Sequence, residues 1–135
     1  MKNLIIISVI ILGFGCEKVS LSDYSANLYG KWSWVSSCPG ILNSGPGCWF
    51  PNAKYPAYTI GFDMEHNFSI IQNNTIISTD KFQVVKSLTD NGKDTVNIIK
   101  FDSGHLDMYS ISHDTLHVTN SEGILTITSH YKKIE

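Results

Sequence analysis

A chain of 135 residues accommodates one ordinary domain and not two. Its 42% apolar and 16% charged residues, with a mean hydropathy of -0.03, exclude both a disordered chain and a multi-spanning helical membrane protein. Ten Lys, no Arg and twelve acids give a net charge of -2, which leaves no electrostatic footprint for nucleic acid and no guanidinium fork for phosphate.

Residues 1–15 read as an address. Lys2 precedes an apolar run from Leu4 to Phe14, and Gly15 is the small residue before a cut site, the layout of a secretory signal peptide. The run is shorter than the ~20 residues a spanning helix needs. The alternative is a buried core helix at the N-terminus. Gly13-Phe14-Gly15-Cys16 resembles a bacterial lipobox. That resemblance implies that Cys16 becomes the first residue of the mature chain, carrying a diacylglycerol thioether and an N-acyl chain such as palmitate. Several acyl chains together anchor stably where one is marginal. Loss of Lys2 leaves nine Lys against twelve acids, so the mature chain carries -3 and has no charge-based attraction to an anionic surface. Residues 16–28 are polar and without period, and read as the lipidated Cys and a tether.

With Cys16 acylated, Cys38 and Cys48 remain. An even pair in an oxidising compartment reads as a disulfide closing over nine residues rich in Gly and Pro. The alternatives are a nucleophilic thiol or a zinc site. Zinc wants four close N or S ligands, and no His lies near the pair in sequence.

From residue 29 to 135 the pattern has period two. It predicts strands at Tyr29–Ser36, Ala57–Asp63, Asn67–Gln72, Thr75–Lys86, Asp94–Phe101, His105–Ser112, Thr115–Thr119 and Ile124–Ile134. Asn73-Asn74, Asp90-Asn91-Gly92, Ser103-Gly104 and His113-Asp114 supply the turns. Hairpin-length connections and no helical period predict an all-β fold, an eight-stranded antiparallel up-and-down barrel; a two-sheet sandwich is the alternative. The inward row is predicted as Trp32, Trp34, Tyr58, Ile60, Phe62, Phe68, Ile70, Phe82, Val84, Leu116, Val118, Leu125 and Ile127. Their bulk favours a filled core with a shallow mouth over an internal pocket.

Gly30-Lys31-Trp32 resembles the Gly-x-Trp signature of lipocalins. The stretch Leu28 to Ser37, with Asp114 to Val118 and Tyr131 to Ile134, resembles small lipocalin-like lipoproteins of Bacteroidetes. The resemblance implies a lipocalin-like barrel with Trp32 in the core of its closed end. It also implies that Lys132 or Lys133 stands where lipocalins pack an Arg over that Trp. By the same layout the loop after the first strand lies over the open end. Ile41, Leu42, Trp49, Phe50 and Tyr55 then form an aromatic lip for a ligand or partner, or a plug that caps the barrel.

Other candidates carry less. His117 and His130 fall on predicted outward faces of neighbouring strands, where solvated surface His is the expected reading, and no metal site is expected. Ser112-His113-Asp114 sits in one turn and cannot align as a triad. Asp90 to Asp94 lacks the acid spacing of a calcium loop. Asp63, Glu65, Asp102 and Asp107 lie near turns and read as solvation. The expectation is a non-enzymatic, cofactor-free lipoprotein of the outer membrane, facing the periplasm or the surface. It would bind a small hydrophobic ligand or partner at its open end. The alternative is a solid-barrel structural or inhibitory lipoprotein acting by protein contact.

Overall fold

The computed structural model describes residues 25–40, 44–120 and 125–135. Eight antiparallel strands close into a barrel in sequence order: β1 Gly30–Pro39, β2 Thr59–Phe62, β3 Asn67–Gln72, β4 Thr75–Leu88, β5 Thr95–Phe101, β6 Leu106–Ser112, β7 Thr115–Asn120 and β8 Ile127–Lys133. Each strand pairs with its sequence neighbour, and β8 returns to β1. Closure leaves no sheet edge running the length of the molecule. Asn73 and Asn74 both hold positive φ, which matches the right-handed twist of the β3–β4 hairpin. His113 also has positive φ (56°), so Ser112-His113-Asp114 is a hairpin turn.

Trp32, Leu28, Phe82, Ile99 and Leu116 are almost fully buried at the centre of the core. Trp32 donates its indole N–H to the Leu28 carbonyl at 2.8 Å. Ser25 and Leu28, in a turn just upstream of the predicted domain start at residue 29, are buried with the core. The Lys133 ammonium sits 5.0 Å from the Trp32 ring, a cation–π contact. Gly30 adopts φ +121°, and a Cβ there would lie 2.2 Å from the Glu135 carbonyl oxygen. Only glycine permits the C-terminal residues to clamp β1, through Ile134 N–H to Lys31 O and the Lys31–Glu135 ion pair.

Two irregularities reset the faces. In β1, Trp34 pairs with Tyr131 but Ser36 pairs with His130, so Val35 is the extra residue of a β-bulge. Beyond it, Ser37 joins Trp34 at the barrel mouth. In β4 a bulge opposite Ile70 and Ile71 inserts Ile77. The strand at the C-terminus also starts later than expected, at Ile127. Leu125, predicted inward, is 72% exposed because it lies before the ladder.

Candidate functional site

The barrel is not filled. A half-open cavity of about 680 Å³ runs into it between the tip of the β3–β4 hairpin and the β5–β6 turn. The expectation of a solid core fails for a geometric reason. The aromatic rings Phe62, Phe68, Phe82 and Phe101 pack edge to face or tilted against one another at 5.0 to 5.2 Å. Packed on each other, they form a wall and leave the space beside it open. Ile60, Ile70, Ile99 and Val118 complete the apolar lining.

A second cavity of about 620 Å³ lies at the mouth, lined by Trp34, Ser37, Trp49, Lys54, Tyr55, Pro56, Tyr58, Gln72 and Ile127. Tyr58 and Gln72 border both, so the two spaces adjoin. Of the five lip residues, Trp49 and Tyr55 line the mouth and pack against the core. Phe50 is 50% exposed and lines neither space. Ile41 and Leu42 lie outside the described residues, as does Cys16. The loop is held by the Cys38–Cys48 disulfide and by paired backbone hydrogen bonds between Ser37 and Trp49. Asn52 organises its tip, its side-chain oxygen accepting from Lys54 and Tyr55 N–H.

Trp34, Ser37, Tyr58 and Tyr131, at the boundary of the two spaces, pair their polar groups within the protein. Trp34 stacks on Tyr58 at 5.1 Å and donates to Ser37 Oγ, which meets Ser129 Oγ at 2.7 Å. Tyr58 and Tyr131 share a hydrogen bond between hydroxyls at 3.1 Å. Burial pushes the Tyr131 phenol well above its ordinary range, and the Tyr58 and Asp107 charges add to this. Burial also raises Tyr58, against the lowering effect of its bond to Tyr131. Both stay neutral hydroxyls across the physiological range, able to donate or accept.

Deeper polar residues are the ones sequence reading passed over. Asp107 is not a solvated turn residue: it lines the cavity, and its side chain is only 14% exposed. His105 Nε2 lies 2.8 Å from Asp107 Oδ1. Against the same β5–β6 turn, Asp80 Oδ2 accepts the Ser103 hydroxyl at 2.6 Å. That bond lowers the Asp80 carboxyl below its usual range. The signal was in the alternation. Asp107 shares parity with Tyr109 and Ile111, and Asp80 with Phe82 and Val84, so an acid occupies each apolar row.

Asp80, Ser103, His105 and Asp107 bring together the residue types of a hydrolytic relay. The connectivity differs, because a Ser–His–Asp relay needs the serine to donate to histidine and Ser103 donates to Asp80. Among the described residues no three His, Cys, Asp or Glu side chains are grouped to hold a metal ion.

On the outer face, His117 and His130 are cross-strand partners with Nδ1 atoms 2.8 Å apart. They are not two solvated side chains. His130 is 5% exposed, and its Nε2 is buried with no hydrogen-bond partner among the described residues. Asp63 caps the β2–β3 turn, accepting from Glu65 and Asn67 N–H, which is the structural role of an Asx turn. Comparison with known protein families, with curated proteins and with solved structures finds no match to this chain.

Proposed function

We propose that this protein is a membrane-tethered binding protein, acylated at Cys16 on the outer membrane, that takes one small and largely apolar ligand into its barrel. The observation that carries the reading is the cavity of about 680 Å³. Its size falls in the ~300–1,000 Å³ range of small-molecule sites, and Ile60, Phe62, Phe68, Ile70, Ile77, Ile99, Phe101 and Val118 give it an apolar wall beside which the polar side chains of the lining can orient one ligand. Trp49 and Tyr55 at the mouth supply a stacking surface on the way in.

Binding of N-phenyl-1-naphthylamine, an apolar dye that brightens when it leaves water, tests this. The full chain should bind it saturably, and Val118→Trp, which fills the cavity from β7, should abolish that binding without unfolding the barrel. A dye response that never saturates, or that survives in a folded Val118→Trp protein, overturns the reading. Half-exposed Phe50 favours a second reading, contact with another protein through the loop. In that case Phe50→Ser would remove the partner while dye binding stays intact.

A further inference from the structure

The titratable groups other than tyrosine that line the inner cavity are two carboxylates and one imidazole, Asp80, Asp107 and His105; among the described residues no Lys lines that space, and the chain contains no Arg. We infer that the inner cavity selects its ligand by charge, taking an amphiphile whose head is a protonated amine and rejecting one headed by carboxylate or phosphate. This rests on the proposed binding function and names the class of ligand for the same site.

The sign of the field does not depend on the state of His105. Protonated, it balances Asp107 at 2.8 Å and leaves Asp80 as a net charge of about -1. Neutral, it leaves both carboxylates. With both carboxylates ionised, neither state of His105 makes the lining positive. Asp107, only 14% exposed beside the apolar wall, feels this preference most, because low local polarity magnifies both the attraction of an ammonium and the repulsion of a carboxylate; Asp80 acts from the solvent-exposed rim. The remaining groups agree with it. The Tyr58 and Tyr131 hydroxyls can accept hydrogen bonds from an ammonium, and the faces of Phe62, Phe68 and Phe101 favour a cation near them. Lys54 lines only the mouth, with its ammonium 5.3 Å from the Tyr55 ring.

A ligand fits this arrangement with its tail against Ile60, Phe62 and Phe68 and its head between Asp107 and Asp80. Length and apolarity alone then do not decide affinity. Decylamine and decanoate have the same tail and opposite charge at pH 7, and decanol is the neutral control.

The experiment measures how each of the three displaces N-phenyl-1-naphthylamine from the full chain at pH 7 and low salt. Decylamine should displace the dye at a concentration at least tenfold lower than decanoate, with decanol between them. In the Asp80→Asn, Asp107→Asn double variant the amine should lose its advantage while dye binding persists. Displacement by decanoate as good as or better than by decylamine overturns the charge inference alone, since the dye has shown that the cavity binds. An amine preference that is unchanged in the double variant overturns it as well. A parent protein that never binds the dye overturns the charge inference together with the binding function. If the double variant does not fold, the order of the three displacers on the parent still decides.

Discussion

Trp32 joins the closed end of the barrel to the chain on both sides of it: its ring lies in the core, its N–H on Leu28, and Lys133 lies over its face. Trp32→Ala should cost about 3–5 kcal/mol, the range for deleting a buried aromatic, read as a fall in the urea midpoint. Trp49→Ala should lower that midpoint much less, because Trp49 is only half-buried, and should instead weaken dye binding at the mouth. Equal and severe losses would make the loop a plug and not a lip. The His pair gives a pH dependence of defined sign. Burial, then the neighbouring His130, lowers His117 below its ordinary 6.5. Below that value the unfolded chain takes up a proton that the folded chain resists, so stability is full above pH 6.5 and falls with acid. One Nδ1 must donate and the other accept, so double protonation breaks the bond. Thermal midpoints between pH 7.5 and 5.5 should fall more steeply for the parent than for His117→Gln, and parallel slopes would remove the pair from the account. Asp63, Asp80 and Asp114, lowered from 3.8 by hydrogen bonds, lose their contributions only at more acid pH.

At the level of strands and loops, the alternation was readable wherever a strand is regular. Asn67–Gln72 has the predicted bounds, and the Asn73-Asn74 turn is where the two Asn place it. The bulges were not readable, because an extra residue leaves no mark in a pattern that merely shifts phase. So β1 runs on to Pro39, three residues past its expected end, with Ser37 and not Ser36 facing the mouth. The cavity was not readable for a related reason. Alternation tells which side chains point inward, and rings that pack on one another do not fill the space those side chains enclose. The Cys38–Cys48 pair was readable from count and compartment, and it is bonded. In the chain-entropy view a ring of this size adds roughly 2–3 kcal/mol. The backbone bridge from Ser37 to Trp49 persists without it. Reduction should therefore lower stability by at most that amount and speed amide exchange within residues 40–56, leaving β3 to β8 protected. Loss of protection across the whole barrel on reduction would show that the bond holds the fold and not the loop.

For the molecule as a whole, the proposed acylation of Cys16 has a direct check. Palmitate fed to expressing cells should label the parent and not Cys16→Ser, and label retained by the variant would refute acylation at that residue. The barrel's closure also has a consequence in time. Seven of its eight strand pairings join neighbours in sequence, and the eighth joins β1 to β8, where Lys31 and Glu135 meet across 104 positions. Hairpins form in microseconds, whereas a contact of that span must first meet the entropy of closing nearly the whole chain. The β1–β8 seam is therefore the last step on the way in and the first to part on the way out. In stopped-flow refolding, Phe82→Leu in the β3–β4–β5 meander should slow folding. Trp32→Ala at the seam should leave the folding limb nearly unchanged and raise the unfolding rate. The lifetime of the folded state, more than its equilibrium stability, is then set by the Gly30 to Glu135 clamp. A barrel that parts there comes undone at the two ends of its own chain, whereas a ligand leaves by the opening between the β3–β4 tip and the β5–β6 turn, so the clamp governs how long the fold lasts and not how long a ligand stays.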